Sequence, residues 1–240
     1  MKERLYGLTN HEGNHSEDVK EEYYYLRSTP THSYMKALYK YPQRKFPYAD
    51  LLRVNKERGR DQPEYELVDT GIFDQRAYFD VVAEHAKAEA EDLLIRYTVK
   101  NHGKTNATLH LLPQVWFRNV WSWGADHLTM PGSAAKPQLG VHDESTLWVQ
   151  RETLGRYYFH IDPEDRRFQD FLFTDNDTNY VIFGTSPDQP HTKDAIHKHV
   201  VDGDSTSLLP TSQGTKAAAH YLLYLKPGET TTLRFRFYKS

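Results

Sequence analysis

Two histidines separated by three residues, with a glutamate directly after the first, can place two imidazoles on one helix face as zinc ligands and a carboxylate beside the metal-bound water. His11-Glu12-Gly13-Asn14-His15 has that spacing. Gly13 and Asn14 are poor helix formers, Leu8-Thr9-Asn10 ahead of them reads as loop, and no third ligand follows at the spacing such sites use. The stretch therefore reads as a polar loop, and neither a metal nor another cofactor is expected.

Other chemistry-bearing groups reduce in the same way. Asp175-Asn176-Asp177-Thr178-Asn179 starts like a calcium loop, but Tyr180 stands where the tight turn needs glycine and Ser186 where a bidentate glutamate belongs, so Asx turns are expected instead. His197 and His199 with Asp194 nearby have the residue types of an acid/base set, yet nothing in the sequence fixes their neighbours, and a solvated loop is the expectation. Glu17 and Asp18, or Glu21 and Glu22, fall on opposite faces of a strand and make no acid/base couple. No catalytic residue is assigned.

Trp116-Phe117-Arg118-Asn119-Val120-Trp121-Ser122-Trp123-Gly124 is different, because its residue types suit recognition. Strand alternation sends Trp121 and Trp123 to one face, where indole rings can stack on a sugar or on a partner domain, and Arg118 and Asn119 supply donors for hydroxyls. A tryptophan cluster closing a core has the same signature.

The elements that must position these residues are strands. Leu233, Phe235 and Phe237 alternate with Thr232, Arg234 and Arg236, and with Ala217 to Leu225 they flank Lys226-Pro227-Gly228-Glu229, which predicts an antiparallel hairpin. A second hairpin is predicted from Leu93 to Lys100 and Ala107 to Arg118, with Gly103 supplying positive φ in the turn. Further strands are predicted at Thr146 to Arg151, Arg156 to Ile161, Tyr180 to Gly184 and Tyr78 to Ala86. Two inserted helices are predicted, Tyr34 to Tyr41 behind a Ser33 cap and Pro47 to Arg58 before Gly59. Gly124 to Gly140 and Ser186 to Lys198 read as surface loops. The fold class is all-β, mainly an antiparallel β-sandwich with one or two short inserted helices, in a single domain over residues 1–240.

Composition fits this picture. A chain of 240 residues buries roughly 70 to 75% of its extended surface on folding. Mean hydropathy is -0.78 and no apolar run approaches the ~20 residues of a membrane span. Lys and Arg are dispersed over a net charge of -3, which excludes a nucleic-acid partner. The absence of cysteine removes disulfide, thiolate and Cys-zinc chemistry. The first 25 residues lack an apolar secretory core, so a cytoplasmic location is expected. The 17 Tyr, 4 Trp and 11 Phe suit half-wet surfaces such as sugar sites as well as strand packing.

The run from Gly7 to Glu21, continued by Tyr23-Tyr24-Tyr25-Leu26 and Ser28-Thr29-Pro30-Thr31-His32-Ser33-Tyr34-Met35-Lys36, resembles large bacterial glucosidases akin to mannosyl-oligosaccharide (processing) α-glucosidase, of the glycoside hydrolase family 63 type. Tyr39-Lys40-Tyr41-Pro42, Tyr65-Glu66-Leu67, Asp69-Thr70-Gly71, the Trp116 to Gly124 block and Gly214 to Tyr221 extend the likeness through nearly the whole chain. The resemblance implies an N-terminal galactose-mutarotase-like super-sandwich ahead of an (α/α)6 barrel that holds the acid and base carboxylates. On that reading the barrel is the partner, the chain alone is inactive, and it is an excised N-terminal module. Glu12, Asn14, His15, Arg118, Asn119, Trp121 and Trp123 would face the barrel or the sugar. The docking face, left bare, would be free to self-associate. The alternatives are a free-standing carbohydrate-binding module, a mutarotase-like sugar epimerase, or a pure interaction domain.

Overall fold

The computed structural model describes residues 22–121, 136–178 and 191–239. Described residues form thirteen strands, one helix of ten residues, and shorter helical turns, so the expected all-β antiparallel class with two short helices holds. The chain resolves into two compact units. The first takes in the described residues up to Ala86, with Arg96–Thr108 and Tyr224–Leu233; the second takes in Lys87–Ile95, the described residues from Leu109 to Leu223, and those from Arg234 onward.

In the first unit, β1 (Glu22–Ser28), β2 (Tyr34–Pro42), β3 (Tyr78–Glu89) and β4 (Asp92–Asn101) hydrogen-bond in that order. β2 is where helix was expected. Met35, Lys36, Ala37 and Leu38 are good helix formers, but the segment is paired on both sides, Tyr24↔Leu38 with β1 and Leu38↔Val82 with β3, and two ladders outweigh a few tenths of a kcal/mol of propensity per residue. The other expected helix is present as α1 (Tyr48–Glu57), with Pro47 as N-cap and Arg58 as C-cap. Its Leu51 packs with Phe46, Leu67 and Ile72, and Asn55 is fixed in both directions by the backbone of Tyr65.

Asn101, with no exposed surface, closes β4. Its Nδ2 donates to the carbonyls of Thr105 and Leu225, each at 3.0 Å, and its Oδ1 accepts from Gly103 N at 2.7 Å and Gln43 Nε2 at 2.6 Å. Its backbone N–H reaches Glu229 O at 3.0 Å and its carbonyl takes Gly228 N–H at 2.9 Å. Gly103 does not have the positive φ expected of it. Its constraint is steric: a Cβ would stand 2.5 Å from Gln43 Oε1 and 3.0 Å from Asn101 Oδ1.

In the second unit, β13 (Thr230–Lys239), β9 (Gly155–Ile161), β8 (Thr146–Arg151), β7 (Gln138–Asp143) and β11 (Gln213–Gly214) form one series, while β10 (Phe168–Thr174), β12 (Lys216–Leu225) and β5 (Ala107–Leu111) form another, with β6 (Gln114–Trp116) also on β12. Phe159 and Phe235 of the first series stack at 5.7 Å, and Tyr221 of the second meets Phe235 edge-on at 5.7 Å. That contact joins the two sheets of a sandwich. β8 and β9 lie where the local sequence placed them, and β3 covers the predicted Tyr78 strand.

Both predicted hairpins are corrected. β12 pairs with β10, β5 and β6 whereas β13 pairs with β4 and β9; β5 pairs with β12 rather than β4. The turn residues were read correctly as reversals, but each reversal carries the chain from one sheet to the other. β12 accordingly buries both faces, not one. The predicted Tyr180 to Gly184 strand lies outside the described residues, and the two predicted loops contribute the start of β7 and a helical turn at Ala195–His197. Among the described residues no helix is long and apolar enough to cross a membrane.

Replacing Asn101 by Ala leaves two carbonyls, one backbone N–H and one side-chain donor without that partner. We expect a loss on the order of 3 kcal/mol and, for a chain of this size, a midpoint lowered by roughly 6 to 12 °C in thermal unfolding; a shift under about 2 °C would show that water replaces the amide at little cost.

Candidate functional site

The tryptophan segment starts on β6, which pairs with the Lys216 end of β12. Trp116 and Lys216 are register partners; the Trp116 ring is 54% exposed, while Lys216 is only 2% exposed, its amine donating to Gln114 Oε1 and lying 5.6 Å from the Trp116 centroid. The strand ends at Trp116, so period-two alternation does not reach Trp121. Phe117 turns into the core and Arg118 is exposed.

The irregular segment is tied down by the loop after β10. Asn176 Nδ2 donates to Phe117 O at 2.7 Å, and Asn119 Nδ2 donates to Asn176 O at 3.1 Å and to Asp177 Oδ1. Asn176 N–H donates to Thr215 Oγ1 at 2.7 Å, Thr215 Oγ1 donates to Asp175 Oδ1 at 3.3 Å, and Lys136 Nζ stands 3.0 Å from the same oxygen. Asn119 is therefore a structural clasp more than a free donor. Trp121 Nε1 is buried and has no hydrogen-bond partner among the described residues.

Of the predicted site residues, Arg118, Asn119 and Trp121 fall in this one segment, while Glu12, Asn14, His15 and Trp123 lie outside the described residues. The sequence reading opened its recognition motif on Trp116 without assigning it to the site, took Asn176 and Asp177 as Asx turns, and gave Lys216 no role. Lys216 sits next to Ala217 to Ala219, an apolar run in which a lone lysine signals a buried and partnered amine. The chemistry available is recognition: an exposed indole face, an exposed arginine, and amides and carboxylates around them.

A second cluster contains histidines that spacing alone could not unite. His110 Nδ1 and His220 Nε2 share a hydrogen bond of 2.8 Å across β5 and β12, with rings stacked at 5.0 Å, and His199 meets His220 edge-on at 6.2 Å. The expected solvated loop at 197–199 is instead half-buried helical turn, and Asp194 takes Thr192 Oγ1 at 2.5 Å and Lys198 Nζ at 3.5 Å. Burial first, then the neighbouring His110 and His199, pushes His220 from the ordinary 6.5 to about 4, against the opposing pull of Asp170. Among the described residues no three His, Cys, Asp or Glu side chains are grouped to hold a metal.

No family model matches the chain. The uncharacterized protein YMR196W of Saccharomyces cerevisiae is 37% identical over 269 residues, an alignment that takes in 99% of this chain and 24% of the yeast protein. The chain thus spans about a quarter of that relative's length. Among solved structures, a polysaccharide lyase aligns over 89% of this chain and 22% of its own at TM-score 0.38 and 11% identity. A galactose mutarotase related enzyme from Lactobacillus acidophilus aligns over 94% and 73% at TM-score 0.38 and 8% identity.

The histidine cluster sets an acid limb of stability. Above pH 6.5 His220 is neutral both folded and unfolded; below it the unfolded chain takes up a proton that the fold refuses down to about pH 4, so stability falls across that window. The unfolding midpoint should drop from pH 6.5 to 4, and His220→Gln should flatten the drop, leaving the share of His110 and His85, whose burial also lowers them. An unchanged slope in the variant would locate the acid sensitivity elsewhere.

Proposed function

We propose that this chain is the non-catalytic N-terminal β-sandwich module, of the galactose-mutarotase-like kind, of a glucosidase-like glycoside hydrolase, packing on an (α/α)6 catalytic barrel and helping to shape its sugar-binding cleft. The observation that carries the reading is the whole-chain alignment with a protein about four times as long, 37% identical over 99% of this chain and 24% of the relative. The reading requires a longer protein around this chain, and that relative is one. The motif resemblance from Gly7 to Tyr221 supplies the glucosidase part. The exposed Trp116 ring, Arg118 and the clasped Asn119 segment supply a surface whose polar and stacking groups suit a hydroxylated ring or a partner domain.

The 240-residue chain alone should release no nitrophenol from a nitrophenyl α-glucoside. In full-length protein carrying it, Trp116→Ala and Arg118→Ala should raise KM for an α-glucoside several-fold with kcat within about twofold, as loss of uniform binding requires. Robust turnover by the isolated chain would overturn the reading. Acceleration of glucose anomer exchange in polarimetry would replace it with a sugar epimerase.

A further inference from the structure

The outward face of β7, β8, β9 and β13 is built unlike an ordinary solvated sheet face. Gly140, Trp148, Tyr158 and Tyr238 stand opposite one another on four adjacent strands. Three inter-strand spacings of roughly 4.8 Å make this row about 14 Å long. Gly140 is part of the construction, because a Cβ there would fall 2.8 Å from Gln213 Cγ and 2.9 Å from Trp148 Cζ2; both side chains close over its backbone. Tyr158 and Tyr238 pack at 5.7 Å with planes 32° apart, and His142 closes on Tyr158 at 5.0 Å. The alternate residues of the same strands, Leu147, Phe159, Ile161 and Phe235, are the buried core, which puts Trp148, Tyr158 and Tyr238, each half-buried, on the opposite face.

Guanidinium groups flank the row. Arg156 lies over Trp148 at 5.4 Å and is held by Gln150 Oε1, which accepts from Nε at 3.1 Å and from Nη2 at 2.7 Å. Its only fixed partner is a neutral amide; among the described residues no carboxylate pairs with it. Arg236 lies over Tyr238 at 4.8 Å and is neutralised by Asp92 through bonds of 2.9 and 2.7 Å. Arg234, two residues earlier on the same strand, is exposed and also has no carboxylate partner among the described residues. Arg156, Arg234 and Arg236 against Asp92 and Asp143, which stands opposite Thr146 beside His142, leave this face with an excess of one positive charge, on a chain whose net charge is -3. A solubilising face would carry the sign of the whole.

We propose that this face binds an acidic oligosaccharide, a chain of uronate residues, with pyranose C–H faces laid on Tyr158 and Tyr238 and a carboxylate taken by the open edge of the Arg156 guanidinium. Guanidinium matches carboxylate in planar, two-point geometry, and a guanidinium pre-set by Gln150 and Trp148 loses little freedom on binding. A row of about 14 Å accommodates two to three sugar rings. Single-stranded nucleic acid also uses aromatics and arginine, but it needs a cation for nearly every phosphate along a groove, and an excess of one positive charge does not make one. The surface belongs to a different sheet from the tryptophan segment, so the inference stands whether or not the chain serves a glucosidase.

Calorimetric titration of the chain with penta-galacturonate at low salt should give saturable binding that weakens as salt is raised, with maltopentaose of equal length binding at least about tenfold more weakly. Arg156→Gln and Tyr158→Ala should each weaken galacturonate binding about tenfold or more, Arg156→Lys should fall between Arg156→Gln and the unaltered chain, and Gln169→Ala, on β10 of the other sheet, should bind as the unaltered chain does. Circular dichroism and an unchanged melting midpoint certify the fold of each variant; should Tyr158→Ala fail to fold, the two Arg156 variants decide. The proposal is overturned by equal affinity for maltopentaose, by tighter binding of oligo-dT, by wild-type affinity in Arg156→Gln, or by no galacturonate binding at millimolar concentration.

Discussion

The fold hangs on one buried amide. Asn101 uses both its donors and both acceptor directions inside the protein, and two turns and the end of β2 are closed onto it: residues 102–106, residues 225–229, and Gln43. A buried amide must be fully partnered or it costs the fold several kcal/mol, so the two turns can adopt only the conformations that present the right carbonyls. Gly103 has to be small for the same reason. The reversals that carry β4 to β5 and β12 to β13 between sheets are therefore specified by a polar contact, and the apolar core fills in around strands whose direction is already set.

The two units dress their exposed strand faces by opposite electrostatic means. In the first, carboxylates sit at the centre: Glu84 accepts from Tyr34 Oη at 2.6 Å and from Arg96 Nε at 2.9 Å, with its carboxyl held below the usual range by the Tyr34 bond first and then Arg96, and Asp80 receives Lys40 at 2.8 Å and His102 at 2.8 Å. Each anion is met by a cation, and the face is closed to outside charge. In the second, Arg156 and Arg236 lie over aromatic rings, and Arg156 and Arg234 have no carboxylate partner among the described residues. Cation–π contact fixes a guanidinium without neutralising it, which leaves its hydrogen-bonding edge for another molecule.

What could be read from the sequence was set by how local the deciding interaction is. β8 and β9 followed from the local sequence, and α1 from Pro47 and Gly59, because propensity, pattern and tertiary pairing agree there. β2 did not, because its Met35 to Leu38 composition favours helix and only two flanking strands make it extended. The sheet that each turn leads into was equally invisible: Lys226-Pro227-Gly228-Glu229 announces a reversal, but the partner of each arm lies far along the chain. At the candidate site the residue types around Trp116 to Asn119 were legible as recognition chemistry. The clasp through Asn176 and Asp177 was not, since the bonds join residues more than fifty positions apart, and the His110 to His220 pair spans 110.

The path of the backbone bears on how such a chain can be inherited. Each compact unit is assembled from three separate stretches of sequence, and β3, β4 and β13 each begin in one unit and end in the other. A recombination event that moved either unit as one contiguous piece of DNA would deliver unmatched half-strands, with open ladder edges and no folded product. Neither unit by itself is therefore a block that recombination can copy or fuse.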